Sequence, residues 1–333
     1  MRHPASTRIM HLAAAACLVL GAMAIAPAHG QTAADYPSAP IRIVVPSASG
    51  GLSDPWVRFV GDRLRAAWGQ PVVMEHRAGG GGIIGGQYVV NAPPDGHTLL
   101  IGNAGGQLFT PLLNPKTPYV VQRDLVPIGT PFTFANVLIV HPSVKANTVR
   151  ELIQLAKEKP GTLQFASSGI GQSHHLSGEL FKRMAGIDIA HVPYKGSGPA
   201  ATDLVGGHVP MMFANIPAAL PFIQAGKARA LAVTGARRSV ALPDVPTMDE
   251  AGVPGYMVVS WIGLFAPAAT PAPVLAKLTD EVNRAWESPE GQRLLQSLNI
   301  DWTKGTGESF RAFLNTENAK WTPVIRDANI TAE

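Results

Sequence analysis

From residue 41 onward the chain repeats one grammar: a short apolar run, a loop of small residues, then an amphipathic helical stretch. That alternation leaves few folds open, because each strand must be covered by the helix that follows it. IRIVV at 41–45 reads as a strand. Residues 54–68 carry Val57, Val60, Leu64 and Ala67 at helical spacing, with Pro55 in the first turn and Gly69 at the end. Further strands are expected at 97–101, 137–140, 163–166, 191–194, 209–213 and 228–233. Thr148-Val149-Arg150-Glu151 is a capping box, and Pro160-Gly161 closes its helix. Ser173 is placed to cap another helix. The alternation predicts parallel sheets covered on both faces.

Two apolar segments, 132–140 and 258–265, bracket a middle section of about one domain's size. If both are crossovers, the chain forms an α/β fold of two lobes with a cleft between them. The boundaries expected are 36–134 with 262–333 for one lobe and 135–261 for the other.

The first thirty residues follow other rules. Arg2 and Arg8 precede an apolar core, LAAAACLVLGAMAIA, and small residues follow at Ala26-Pro27-Ala28. That is the pattern of a cleaved export signal over 1–30, since the apolar run is shorter than the roughly 20 residues of a membrane span. The one cysteine, Cys17, lies within it, so the exported chain has no disulfide, thiolate metal site or cysteine nucleophile. Export without cysteine fits a bacterial periplasm. Losing Arg2 and Arg8 takes the formal charge from +4 to +2, and no clustered Lys/Arg tract points to nucleic acid.

HRAGGGGIIGG, with six glycines over 79–86, contains the spacing of a dinucleotide fingerprint. A nucleotide site also needs an acid about twenty residues on, where 99–103 has none. No Lys-Ser or Lys-Thr follows to make a phosphate loop. The loop therefore reads as a permissive turn that lets a helix start close to the sheet.

Two other loops carry more. PSASGGLSD at 46–54 and ASSGIGQS at 166–173 each join a strand to a helix, so their amides cluster at a helix N-terminus and favour an anion. One per lobe, they would face each other across the cleft. Catalysis has weaker support: Gly-x-Ser-x-Gly is absent, and Gly196-Ser197-Gly198 lacks its spacing. His175 and Glu179, four apart, could share a zinc with His191, or His175 is simply hydrogen-bonded at the cleft edge. Asp54 could meet a ligand ammonium or complement its helix dipole.

The blocks YPSAPIRIVVPSASGGLSD, EHRAGGGGIIGG, PDGHTLLIG, FASSGIGQSHHLSGELFK, DIAHVPYKGSGPAATDLVGGHVPMMFAN and WIGLFAPAATPAPV resemble, in order, those of the Bug or TctC-type family. These are extracytoplasmic solute receptors of tripartite tricarboxylate transporters. The resemblance implies a two-lobe, Venus-flytrap periplasmic binding fold of type II-like form, with two crossover hinge strands. It implies a small carboxylated ligand, membrane permease subunits as partners, a monomer, and neither cofactor, metal nor catalysis. By motif position the first cradle is Ser47, Ala48, Ser49, Gly50 and Gly51, with Asp54 at its mouth and Asn103 and Ala104 beside it. Across the cleft come Ser167, Ser168, Gly169 and Gln172, with His175, Tyr194, Lys195, Gly196 and Asn215 around them. Family members commonly carry an aromatic and prolines where Ser47, Ala48 and Ser49 stand, which implies a roomier, more polar pocket here.

Overall fold

A computed structural model describes residues 35–47, 49, 53–114, 116–194, 196–298 and 300–327. The expected export signal with Cys17 lies outside them, as do Ala48, Gly50, Gly51 and Lys195. Nine strands are present among the described residues: β1 (Ile41–Val45), β2 (Val72–His76), β3 (Thr98–Asn103), β4 (Leu125–Val140), β5 (Gln164–Ser167), β6 (Ala190–Pro193), β7 (Met211–Asn215), β8 (Arg229–Val233) and β9 (Val259–Pro267). The helices are α1 (Ser53–Trp68), α2 (Ile83–Val90), the short α3 (Thr110–Leu113) and α4 (Val121–Asp124), α5 (Val149–Glu158), α6 (Ser173–Ala185), α7 (Ser197–Val205), α8 (Ile216–Gln224), α9 (Ala272–Glu287), α10 (Pro289–Ser297) and α11 (Gly307–Asp327).

Local chemistry accounts for the ends. Thr148 Oγ1 accepts the Glu151 amide at 3.2 Å, while the Glu151 carboxylate reaches back to the Asn147 amide at 2.6 Å. The capping box thus closes one residue earlier than its usual reciprocal form. Gly186 ends α6 in the left-handed region (φ 61°). Ser173 does not cap α6. It is the helix's first residue, and Gln172 holds the cap position with no side-chain bond.

The strands run β2-β1-β3-β9-β4-β7-β5-β6, with β8 also on β4. Pairs β1–β2, β1–β3, β5–β6 and β5–β7 are parallel. Pairs β3–β9, β9–β4, β4–β7 and β4–β8 are antiparallel, so the sheet is mixed where pure parallel pairing was expected. The reason is topological. β4 carries the chain out of the first lobe and β9 brings it back, so the two crossovers run in opposite senses. Along β4, residues 125–135 pair with β9 and 136–140 pair with β7 and β8.

The crossovers are tied together at Thr234, which is fully buried. Its amide donates to Asn136 O at 2.9 Å, and its hydroxyl accepts the Asn136 amide at 2.8 Å. The same hydroxyl donates to Val258 O at 2.6 Å, and Thr234 O accepts the Val258 amide at 2.8 Å.

One apolar cluster holds Trp56, Val60, Leu64, Leu278 and Trp286 beneath α1 and α9. Another holds Ala200, Leu204, Met212 and Ile216 in the second lobe. A third passes between lobes, from Leu100 and Phe109 through Trp261 to Phe165 and Phe213. α11 covers it with Phe310, Leu314 and Trp321, and reaches α6 through Arg183–Asp327 at 2.8 Å.

Candidate functional site

The loops after β1, β3, β5, β6 and β7 all open at the carboxyl ends of parallel strands, where ligands of α/β sheets bind. Between them lies a cavity of about 230 Å³. One wall is Ser53, Asn103 and Gly105; the other is Ser168, Gln172, Ser173, His174, Ser197 and Asn215. Phe134 and Ser260 with Ile262, from the two crossovers, make the floor. Its volume is below the roughly 300–1,000 Å³ of drug-sized sites, which suits a small metabolite.

Three helices of the second wall begin at the cavity. α6, α7 and α8 follow Gln172, Gly196 and Asn215, and none of these makes a side-chain capping bond. The first-turn amides of α6 and α7 are therefore left for an occupant, with the positive ends of two helix dipoles behind them. Among the described wall residues the side chains are neutral apart from the ionisable His174.

His174 is the centre of a chain of polar contacts. Its Nδ1 lies 2.6 Å from Ser168 Oγ and its Nε2 lies 3.1 Å from Asn215 Oδ1. The ring is 4% exposed, and burial lowers its pKa while the Asn215 bond works the other way. A neutral ring fits one assignment. Nε2–H donates to the Asn215 carbonyl, and Nδ1 accepts the Ser168 hydroxyl.

Behind this wall sits a set of braces. Ser167 is fully buried; its hydroxyl contacts His191 Nε2 at 2.6 Å, donates to Gly169 O at 3.1 Å and accepts the Gly169 amide at 3.1 Å. His175 Nδ1 accepts the Gly171 amide at 3.1 Å. The His175 and His191 rings stack, centroids 3.8 Å apart and planes 13° apart, with Phe165 stacked on His191. Burial first, then the neighbouring charges of His191 and Lys182, push His175 down to about 3. Burial and then Lys182 push His191 to about 4. His175 Nε2 and Glu179 Oε1, 3.9 Å apart, are therefore not an ion pair at neutral pH, whatever their distance. Face-to-face rings also point their lone pairs sideways, not at a shared centre. Among the described residues, no three His, Cys, Asp or Glu side chains converge to hold a metal. The zinc arrangement of His175, Glu179 and His191 is not assembled.

The opposite wall is shaped by close backbone approach. Asn103 Oδ1 accepts the Gly106 amide at 2.8 Å, and Gln107 Oε1 accepts the Asn103 amide at 2.7 Å. Asn103, which lines the cavity, is thereby held through both its carboxamide oxygen and its backbone amide. Residues 105–109 form a π turn, a form often found at functional sites. The glycine loop packs directly behind. A Cβ on Gly82 would sit 3.1 Å from Gly106 Cα, and one on Gly85 would sit 2.8 Å from Pro46 Cβ and 3.1 Å from Arg77 O. The glycines are there to let three backbones meet.

Of the residues expected at the site, Asn103, Ser168, Gln172 and Asn215 line the cavity. Ser47 lies in the first loop with its carbonyl held by His76 Nδ1–H at 2.9 Å, and Ser49 is exposed at the same turn. Others turn elsewhere. Asp54 is buried (4% exposed), with its Oδ2 3.7 Å from His76 Nε2. Ala104 is core. Ser167, Gly169 and His175 support the wall from behind. The Tyr194 hydroxyl donates to Asp203 at 2.7 Å, and burial and that carboxylate push its pKa to about 12. The Tyr194 and Gly196 amides brace Ser167 O and Ser168 O at 3.0 and 3.1 Å.

The sequence reading does not place Gly105, His174, Ser197, Phe134, Ser260 or Ile262 at the site, and it reaches Ser53 and Ser173 only as members of the two amide-rich loops. Ser53, Ser173 and Ser197 share a legible signal, as the first residues of helices that follow small-residue loops. Of the adjacent histidines, the helix sends one to the cleft and the other to the core.

Residues 56–330 match the tripartite tricarboxylate transporter family receptor, TctC, and the chain belongs to that family. Protein BugT of Bordetella pertussis (strain Tohama I) is 36% identical over 293 residues, covering 88% of this chain and 90% of that one. The structure of R. palustris Rpa4515 with adipate superposes with a TM-score of 0.79 at 36% identity, over 89% of this chain and 99% of that one. MatC (Rpa3494) from Rhodopseudomonas palustris with bound malate gives 0.75 at 31% identity, over 87% and 100%. The fold is thus the two-lobe fold of periplasmic binding proteins.

Proposed function

We propose that the protein is a periplasmic receptor that captures a small organic carboxylate, a short diacid in particular, and delivers it unaltered to the permease subunits of a tripartite transporter. The observation that carries this is the pair of uncapped helix starts at Ser173 and Ser197, facing Asn103 and Ser53 across an apolar floor of Phe134 and Ile262. Neutral donors at both ends suit carboxylates, and the apolar floor suits a short carbon chain. The relatives solved with adipate and with malate support the same ligand class. Among the described residues no helix is long and apolar enough to cross a membrane.

In this reading, residues 36–134 with 262–333 and residues 135–261 are the two bodies that close on the ligand by rotation at the crossovers. Micromolar binding needs about −8 kcal/mol. Several charge-assisted hydrogen bonds of about 1.5–3 kcal/mol each can supply it after the entropy of association is subtracted. Titration calorimetry and thermal shift with adipate, malate and a wider acid panel test the proposal. At least one acid is expected to bind and raise the unfolding midpoint, and to be recovered chemically unchanged. Silence across the panel, or a converted ligand, refutes it.

A further inference from the structure

The cavity wall contains one ionisable side chain among its described residues, and that side chain is wired to the hydroxyl facing the occupant. We propose that His174 is a proton-taking positioning residue: ligand entry puts a proton on its ring and thereby turns the Ser168 hydroxyl from an acceptor into a donor toward the ligand. The inference rests on the carboxylate reading of the cavity.

In the neutral state described above, Nε2–H is given to Asn215 Oδ1 and Nδ1 takes the Ser168 hydrogen. Ser168 then presents only lone pairs to the cavity, and an entering carboxylate oxygen meets lone pairs in turn. One proton from solvent resolves the mismatch. The imidazolium donates from Nδ1 to Ser168 Oγ and from Nε2 to Asn215 Oδ1, so neither heavy-atom contact needs to move. The Ser168 hydrogen is released toward the ligand, and the new positive ring lies one hydroxyl behind the carboxylate.

The electrostatics agree. In the free protein burial lowers the His174 pKa, and among the described residues no charged side chain contributes to the shift. The groups packed against the ring from β7 and the β5–α6 loop, Asn215 and Ser168, are neutral. His175, next along α6, turns its ring to His191 on the far side and is itself held neutral. A bound anion adds a negative charge one hydroxyl away from His174 and raises its pKa. Because the complex holds more protons than the free receptor, affinity must rise as pH falls, by up to about tenfold per unit. The rise is confined to the window between the ring's pKa in the complex and its lower pKa in the free protein.

The test is titration calorimetry of adipate and malate at pH 7 in two buffers of different ionisation enthalpy. A net uptake of about 0.3 to 1 proton per bound diacid is expected. His174→Gln is expected to abolish the uptake and flatten the pH dependence between 8 and 5.5. The imidazole ¹⁵N spectrum of the unmutated protein decides independently of that variant's folding, with His174 passing from a neutral tautomer to imidazolium on saturation. Binding with buffer-independent enthalpy, or uptake that persists in folded His174→Gln, overturns the assignment and leaves the carboxylate reading standing. Absence of binding by either diacid overturns this proposal, and continued silence across the wider panel overturns the carboxylate reading.

Discussion

The two walls of the cleft are held in place by opposite means. The first depends on missing side chains: Gly82, Gly85 and Gly106 let the glycine loop, Pro46 and the π turn touch backbone to backbone. The second depends on side chains that are present: Ser167, His175, His191 and Tyr194 pin the 167–173 and 194–196 segments from behind. The first is broken by adding atoms and the second by removing them. This matters for reading any variant, because the same substitution class has opposite consequences on the two sides.

The largest effect is expected from Gly85→Val. Its side chain would collide with Pro46 and the Arg77 carbonyl, and backbone cannot yield as a flexible side chain does. A loss of about 3 kcal/mol in chemical denaturation, with weakened binding, is the outcome that sustains the contrast. An unaltered denaturation midpoint would remove it.

Ser168→Ala should cut affinity roughly ten- to hundredfold, equivalent to one hydrogen bond to a charged group of about 1.5–3 kcal/mol. The unfolding midpoint of the free protein should also fall by a few degrees, because the same change leaves the buried His174 Nδ1 without its 2.6 Å partner, at a cost of about 1 kcal/mol. Calorimetry paired with thermal denaturation separates the two numbers.

Acid should act first on the second wall. His175 and His191 have folded pKa values below that of a free histidine, so the unfolded chain binds more protons than the fold between pH 6.5 and about 3–4. Their contribution to stability is complete above pH 6.5 and is lost as pH falls through that window. Each titrating ring costs at most about 1.4 kcal/mol per pH unit, and less at the part-exposed His191, where solvent screens the charge. Amides of 168–172 should lose hydrogen-exchange protection on acidification before those of 103–109. Equal loss at both walls would contradict the division. The smallest effect is expected from Tyr194→Phe, which removes the bond to Asp203 at about 1 kcal/mol of stability and leaves affinity unchanged by titration.

What the chain declares in advance follows the same contrast. The strand–loop–helix order and both crossovers can be read from apolar runs and caps, since those signals are local. Sheet direction cannot, because β3–β9 and β4–β7 are set by how the chain leaves a lobe and returns. At the site, the two amide-rich loops are visible as strings of small residues. Which of two adjacent histidines faces the cavity depends on the helix's rotation against β5 and β7. Whether Tyr194 faces the ligand depends on Asp203, nine residues on. Phe134 and Ile262 escape notice because an apolar residue on a crossover looks like core until the gap above it is seen.

Thr234 has a mechanical corollary. Because four hydrogen bonds from one buried residue bind the outgoing strand at Asn136 to the returning strand at Val258, the two connections cannot swivel separately. In the proposed closure the halves turn as a door on a single pintle, since sliding one past the other would have to tear that fastening first.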